Sequence, residues 1–343
     1  MGKTVLLNRF NQIAESEGCQ TAIFEADPDH TLPELLTLQL HRLLLKLDRR
    51  KKAGEDIQRI FRLLGSFASR FKVKVGEFEV GLTNEFVTGD LTIDLTELLV
   101  AIGMAAKKRD TAVILLIDEM QFLSMKDLSA LIIALHKISQ NRIPLLFYGA
   151  GLPHLAKLSG EAKSYSERLF DFEIIDRLDN KSAAIALVKP ALREGITYES
   201  GALDAVLKET EGYPFFLQVW GSHIWEVAKS SPISITDVSR ATLRALKALD
   251  HGFFKVRVER LTERQLKYAI AMAAVDSLPA SSTEVAGILG LSISRAAPIR
   301  DELIKKGMAF SPKRGLVAFS VPRFKEYLQR SGYSSISLER KAQ

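Results

Sequence analysis

Residues 111–123 read TAVILLIDEMQFL, and this stretch decides the fold. Ala112–Ile117 is continuously apolar, the pattern of a strand buried on both faces in a parallel sheet. Asp118 and Glu119 follow directly. On its own such a pair could simply keep a surface loop soluble. The surroundings point further. A helical stretch at 126–140 leads to a second apolar run, IPLLFYG (143–149), expected to be another buried strand. QTAIFEAD (20–27) upstream and FEIIDRL (172–178) downstream also read as strands, with a short helix expected at 160–170. Strands alternating with helices through short loops predict an α/β fold with a parallel sheet.

Upstream, residues 4–17 carry apolar positions at helical spacing and stop at Gly18, a natural C-cap. Leu35–Leu47, Ile57–Phe71 and Leu91–Lys108 read as helices, the first two separated by the charged break DRRKKAGED. KVKVGEFEVGL (72–82) alternates like a small hairpin turning at Gly76.

The chain begins MGKTVLLNRF. Gly2, Lys3 and Thr4 stand where a phosphate-binding loop, G-x-x-x-x-G-K-[ST], opens its helix. Backbone N–H groups and the helix dipole hold phosphates there, the lysine neutralises the outer oxygens, and the hydroxyl binds Mg²⁺. Asp118 at a strand end suits the Mg²⁺ shell, and Glu119 can orient a water for in-line attack. Neither half is specific alone; together they predict binding of ATP with Mg²⁺. Arg168, in SYSERLFDF, either reaches a γ-phosphate or pairs with Glu167 or Asp171.

The bulk composition bounds these readings. The chain has 343 residues, nearly half of them hydrophobic, and one cysteine. Cys19 excludes an intrachain disulfide and fits a reducing cytoplasm. No apolar run approaches the roughly 18–20 residues of a membrane span. The net charge of +6 is uneven: residues 240–343 hold 19 Lys/Arg against 9 Asp/Glu, and the remainder 28 against 32. The C-terminal third is either a polyanion-binding module or a solvated basic face.

After Asp179 the strand signal disappears. Residues 181–194, 200–211 and 214–229 read as helices, and a linking helix runs from Thr236 to Leu249. Beyond Leu261, helices at 264–275, 281–292 and 294–306 precede a hairpin at 308–321 turning at Pro312–Gly315. Ser282 or Thr283 is expected to cap the second of these, and Pro298 to lie in or near the first turn of the third. This order describes a winged helix-turn-helix. Arg295, Arg300, Lys305 and Lys306 on its third helix, with Lys313 and Arg314 at the wing tip, would neutralise phosphates of double-stranded DNA. The alternative is a packing or protein-interaction domain.

GKT at 2–4, ILLIDEMQFL at 114–123, LLFYGAGLP at 145–153, SERLFDF at 166–172 and EGYPFFLQ at 211–218, with the C-terminal helices and hairpin, resemble the AAA+ ATPases of the origin-recognition type and their STAND and archaeal-type relatives. The resemblance covers nearly the whole chain. It implies a P-loop ATPase core at 1–178, a helical lid and linker helix at 179–250, a winged helix at 261–331 and a flexible tail at 332–343. Lys3 and Thr4 would be the P-loop lysine and the magnesium-binding hydroxyl, Asp118 the metal carboxylate, Glu119 the catalytic glutamate and Arg168 the arginine finger. Tyr213 and Pro214 would approach the adenine.

Two departures stand out. Such a fold usually ends the strand at 143–149 in a polar sensor, whereas Phe147-Tyr148-Gly149-Ala150 stands here. GYPFFLQVW also lacks a lid arginine. A slow switch is therefore expected rather than a motor, with a non-hydrolysing remnant that regulates DNA or associates with a protein as the alternative. The strand and half-loop that normally precede GKT are missing, so either a natural polypeptide starting upstream or a fragment or remnant is expected, and the chain as it stands is expected to bind ATP poorly.

Overall fold

The computed structural model describes residues 2–50, 55–73 and 88–333, and all but the first two residues of the expected hairpin at 72–82 lie outside them, as do Met1 and residues 334–343 of the expected tail. Contacts divide the chain into two compact units, Gly2–Ile175 and Asp176–Gln343.

In the first unit, β1 (Gln20–Glu25), β2 (Val113–Asp118) and β3 (Leu145–Gly149) form a parallel sheet in that order. All six residues of β2 are buried, as its unbroken apolar run requires. One face is covered by α1 (Lys3–Ser16), whose Leu7 and Ala14 cluster with Ile114 and Leu116. Cys19 is packed at the margin of that cluster. The other face, with Val113, Leu115 and Ile117, shares a larger core with α2 (Leu32–Arg50), α3 (Glu55–Arg70), α4 (Leu91–Lys107) and α5 (Met125–Gln140). Asp90 and Ser124 cap α4 and α5 by accepting first-turn N–H groups. A Cβ at Gly103 of α4 would lie 2.3 Å from Ile143, so the helix passes close to the chain entering β3.

Three expectations fail in this unit. β3 is not buried: it is an edge strand, with Leu146 53% and Tyr148 40% exposed. The single helix expected at 160–170 is two, α6 (Leu155–Ala162) and α7 (Ser166–Leu169). Residues 172–178 form no strand. An apolar run becomes a strand only where a neighbouring edge supplies its backbone bonds. Phe172 instead sets its ring edge-on to Phe170.

The second unit carries α8 (Asn180–Arg193), α9 (Ser200–Thr210), α10 (Pro214–Val227) and α11 (Ile235–Ala248), then a π-helical turn, Leu249–Phe254, and α12 (Lys255–Glu259). There follow α13 (Glu263–Ala274), β4 (Ala280–Ser281), α14 (Ser282–Ile288), α15 (Ile293–Lys305), β5 (Ala309–Phe310), β6 (Leu316–Phe319) and α16 (Phe324–Arg330). The strands pair antiparallel in the order β4-β6-β5. One apolar core runs from Ala183 to Leu328, with Phe254 stacked on Tyr327. The cap of α14 is Ser281, one residue before the expected position, because its hydroxyl accepts the Thr283 N–H. Pro298 is the sixth residue of α15, near its first turn as expected, at an exposed position.

Candidate functional site

The carboxyl ends of parallel strands gather functional groups because loops and helix starts meet there. At that end of β2, Asp118 is 5% exposed. Its Oδ1 accepts the N–H of Glu119 at 2.9 Å, and its Oδ2 accepts the hydroxyl of Thr4. The first turn of α1 thus touches the end of β2. Gly2 caps α1 with φ 76° and ψ 13°, a left-handed conformation that favours glycine. No acidic side chain occupies that first turn, so its free N–H groups and the helix dipole present a positive end beside the two carboxylates. Lys3 is half-buried in the same turn.

Glu119 is also left-handed, at φ 51° and ψ 37°, which for a non-glycine residue is strain held by its surroundings. The hold is visible. The Met120 N–H donates to the Ala150 carbonyl at 2.9 Å, and the Ala150 N–H to the Ile117 carbonyl at 2.8 Å. Gly149 leaves room for Met120, since a Cβ there would stand 2.1 Å from its sulfur. The Gln121 side chain donates its N–H to Glu119 Oε2 and accepts the Leu152 N–H at 3.0 Å. Gln121 carried no signal in the sequence beyond its place two residues after the acid.

Of the residues expected to meet here, the structure brings Gly2, Lys3, Thr4, Asp118 and Glu119 to one strand end. Arg168 is exposed in α7 and makes no ion pair among the described residues, so neither Glu167 nor Asp171 holds it. The cavity at the opposite ends of the strands, lined by Gly18, Cys19, Thr111 and Ala112, lies away from the acids.

In the second unit, Tyr213 is the buried N-cap residue of α10 and Pro214 its first residue. Burial pushes the Tyr213 hydroxyl above its ordinary pKa, partly opposed by Arg257 and Arg177. The six basic residues expected to face DNA divide into two groups. Arg295, Lys305, Lys313 and Arg314 are exposed. Arg300 pairs with Asp301 at 2.8 Å and reaches Ser282, while Lys306 donates to the Arg260 carbonyl at 2.7 Å and to Gln265 at 2.8 Å. Arg300 and Lys306 thus have side-chain partners within the unit, although Lys306 is also exposed.

Residues 251–328 match a family described as a domain of unknown function, DUF8462. No curated protein matches the chain. Among solved structures, the Walker-type ATPase PABY2304 of Pyrococcus abyssi is similar at 14% identity, covering 92% of this chain and 85% of its own, with a TM-score of 0.58. Cdc6p from Pyrobaculum aerophilum matches at 12% identity, over 100% of this chain and 86% of its own, with a TM-score of 0.44. The Thermotoga maritima RuvB branch migration motor matches at 16% identity, over 96% and 94%, with a TM-score of 0.37. The parallel sheet with flanking helices is a P-loop NTPase fold like that of the Walker-type ATPase.

Proposed function

We propose that the Gly2–Ile175 unit binds ATP with Mg²⁺ and hydrolyses it slowly, and that nucleotide state governs how the second unit engages double-stranded DNA. The contact between Thr4 and Asp118 carries this reading, because it joins the start of α1 to the end of β2 across 114 positions of sequence. A hydroxyl and a carboxylate are oxygen donors of the kind Mg²⁺ takes, in a number that leaves places for phosphate oxygens and water. When bound, the cation would offset the charge of the phosphates.

The residues divide the remaining work. The N–H groups of the first turn of α1 and the Lys3 ammonium would hold the phosphate chain. Glu119 would orient a water whose oxygen bonds to the γ-phosphorus as the bond to the bridging oxygen breaks, releasing ADP and phosphate. Arg168, exposed and without an ion pair among the described residues, would add positive charge at the γ-phosphate, its own or a second copy's. Calorimetric titration with Mg·ATP and single-turnover hydrolysis test this, with Glu119→Gln expected to bind and to hydrolyse only at a small residual rate. Hydrolysis unaffected by Glu119→Gln would refute the assignment.

The β4-β6-β5 sheet and the α13, α14, α15 order support a winged helix reading of the 261–331 segment. Arg295, Lys305, Lys313 and Arg314 would then contact DNA phosphates. The internal use of Arg300 and Lys306 favours a second reading, a protein-interaction module. Among the described residues no helix is long and apolar enough to cross a membrane.

A further inference from the structure

Glu119 needs its carboxylate aimed, and β3 supplies nothing to aim it. Phe147 and Gly149 have no hydrogen-bonding side chain, and the Tyr148 ring lies against Phe10 at 4.9 Å between centroids. Gln121 closes that gap. Its amide N–H donates to Glu119 Oε2 and its amide oxygen accepts the Leu152 N–H, tying the acid to the loop that follows β3. Glu119 Oε1 has no hydrogen-bond partner among the described residues, and faces the task of holding a water.

We propose that Gln121 is a positioning residue for Glu119, fixing from the loop beyond β3 the carboxylate that orients the water attacking the γ-phosphate; the proposal rests on the ATPase reading. A primary amide of this length meets both demands. Leucine or methionine offers neither group, glutamate in its ionised form has no donor, and asparagine is one methylene shorter. Gly151 forms part of the same device. A Cβ there would stand 2.9 Å from Gln121 Oε1, so any larger residue presses on the amide. Misplacement by an ångström at such a group lowers rates by up to about a hundredfold.

The full chain carries the test, as Gln121→Ala, Gly151→Ala and each combined with Glu119→Gln. The readouts are the Mg·ATP dissociation constant, the single-turnover rate and amide hydrogen exchange at Leu152. Both single changes should lower the rate about tenfold or more while the dissociation constant stays within about twofold, and Gln121→Ala should speed exchange at Leu152. In the Glu119→Gln background neither should lower the residual rate further, because residues acting as one unit are not additive. An unchanged rate in Gln121→Ala, a further loss in the Glu119→Gln background, or unaltered exchange at Leu152 overturns the role. Nucleotide bound normally but never hydrolysed by the unaltered chain also overturns it and leaves the binding site standing. Absence of Mg·ATP binding sinks the ATPase reading and this proposal with it.

Discussion

The hydroxyl of Thr4 donates a hydrogen bond to Oδ2 of Asp118, and so the first turn of one helix is fastened to the end of the central strand.

Thr4→Val keeps the shape of the side chain and removes its donor and acceptor. Its affinity for Mg·ATP should fall about tenfold or more, the loss expected of one charge-assisted contact of about 1.5–3 kcal/mol. ATP binding in EDTA should change little, and Thr4→Ser should behave as the unaltered chain. Titration calorimetry with and without the cation separates the cases. Equal loss in both conditions would assign Thr4 to the helix rather than to the cation.

The central strand and the helix start were legible because each leaves a local record. Six apolar residues followed by two acids can hardly lie elsewhere than in a buried parallel strand, and Gly-Lys-Thr before an apolar-patterned helix marks where that helix begins. What stayed hidden depends on partners remote in sequence. Residues 172–178 have strand composition, but strand formation needs an adjacent edge that composition does not report. The exposure of β3 was concealed for the same reason. Lys306 and Lys313 look alike in the sequence, and both are exposed; only the fold shows that one is bonded to Arg260 and Gln265 while the other's ammonium has no partner among the described residues. Gln121 acts through Leu152, 31 positions away.

Gly212 should tolerate no side chain. Its φ is +67°, and a Cβ would stand 2.1 Å from the Leu178 carbonyl oxygen, whose own N–H donates to the Gly212 carbonyl at 2.9 Å. Gly212→Ala combines left-handed strain with a backbone collision, and should destabilise the second unit by roughly 2–4 kcal/mol. Urea unfolding followed by the fluorescence of the buried Trp220 reports it. A shift below about 0.5 kcal/mol would mean that the close approach to Leu178 is absent in solution.

Stability of the first unit should fall in acid through Asp56. Its carboxylate accepts from Arg109 at 3.0 Å, and Arg109 also donates to the carbonyls of Leu47 and Ala105. The hydrogen bond from Arg109 holds Asp56 below the ordinary carboxylate pKa, with burial opposing. The folded protein therefore binds this proton less readily than the unfolded chain. The pair stabilises fully above the unfolded value of about 4, and the benefit is lost as pH falls through the lower folded value. Asp56→Asn should cost about 3 kcal/mol at neutral pH, since Arg109 is left buried without its carboxylate. The gap between the two proteins should narrow from about pH 5 downward. A gap that stays constant with pH in denaturant titrations would count against the pair.

The two kinds of basic residue in the C-terminal segment should answer differently to substitution. Lys313 and Arg314 are exposed near the turn joining β5 and β6. If they meet phosphates, replacing both with alanine should weaken binding to double-stranded DNA and reduce the slope of log affinity against log salt by about 2, one counterion for each contact. Lys306→Ala should leave that slope unchanged, because its ammonium is committed to the Arg260 carbonyl and Gln265. It should instead destabilise the second unit by about 0.5–1.5 kcal/mol, the net worth of a hydrogen bond at an exposed ammonium. Fluorescence anisotropy with a labelled duplex at several salt concentrations, set beside urea unfolding of each variant, reads both quantities. A salt slope that falls equally for Lys306→Ala would place that ammonium on DNA, and no measurable slope in the unaltered chain would leave the protein-interaction reading in its place.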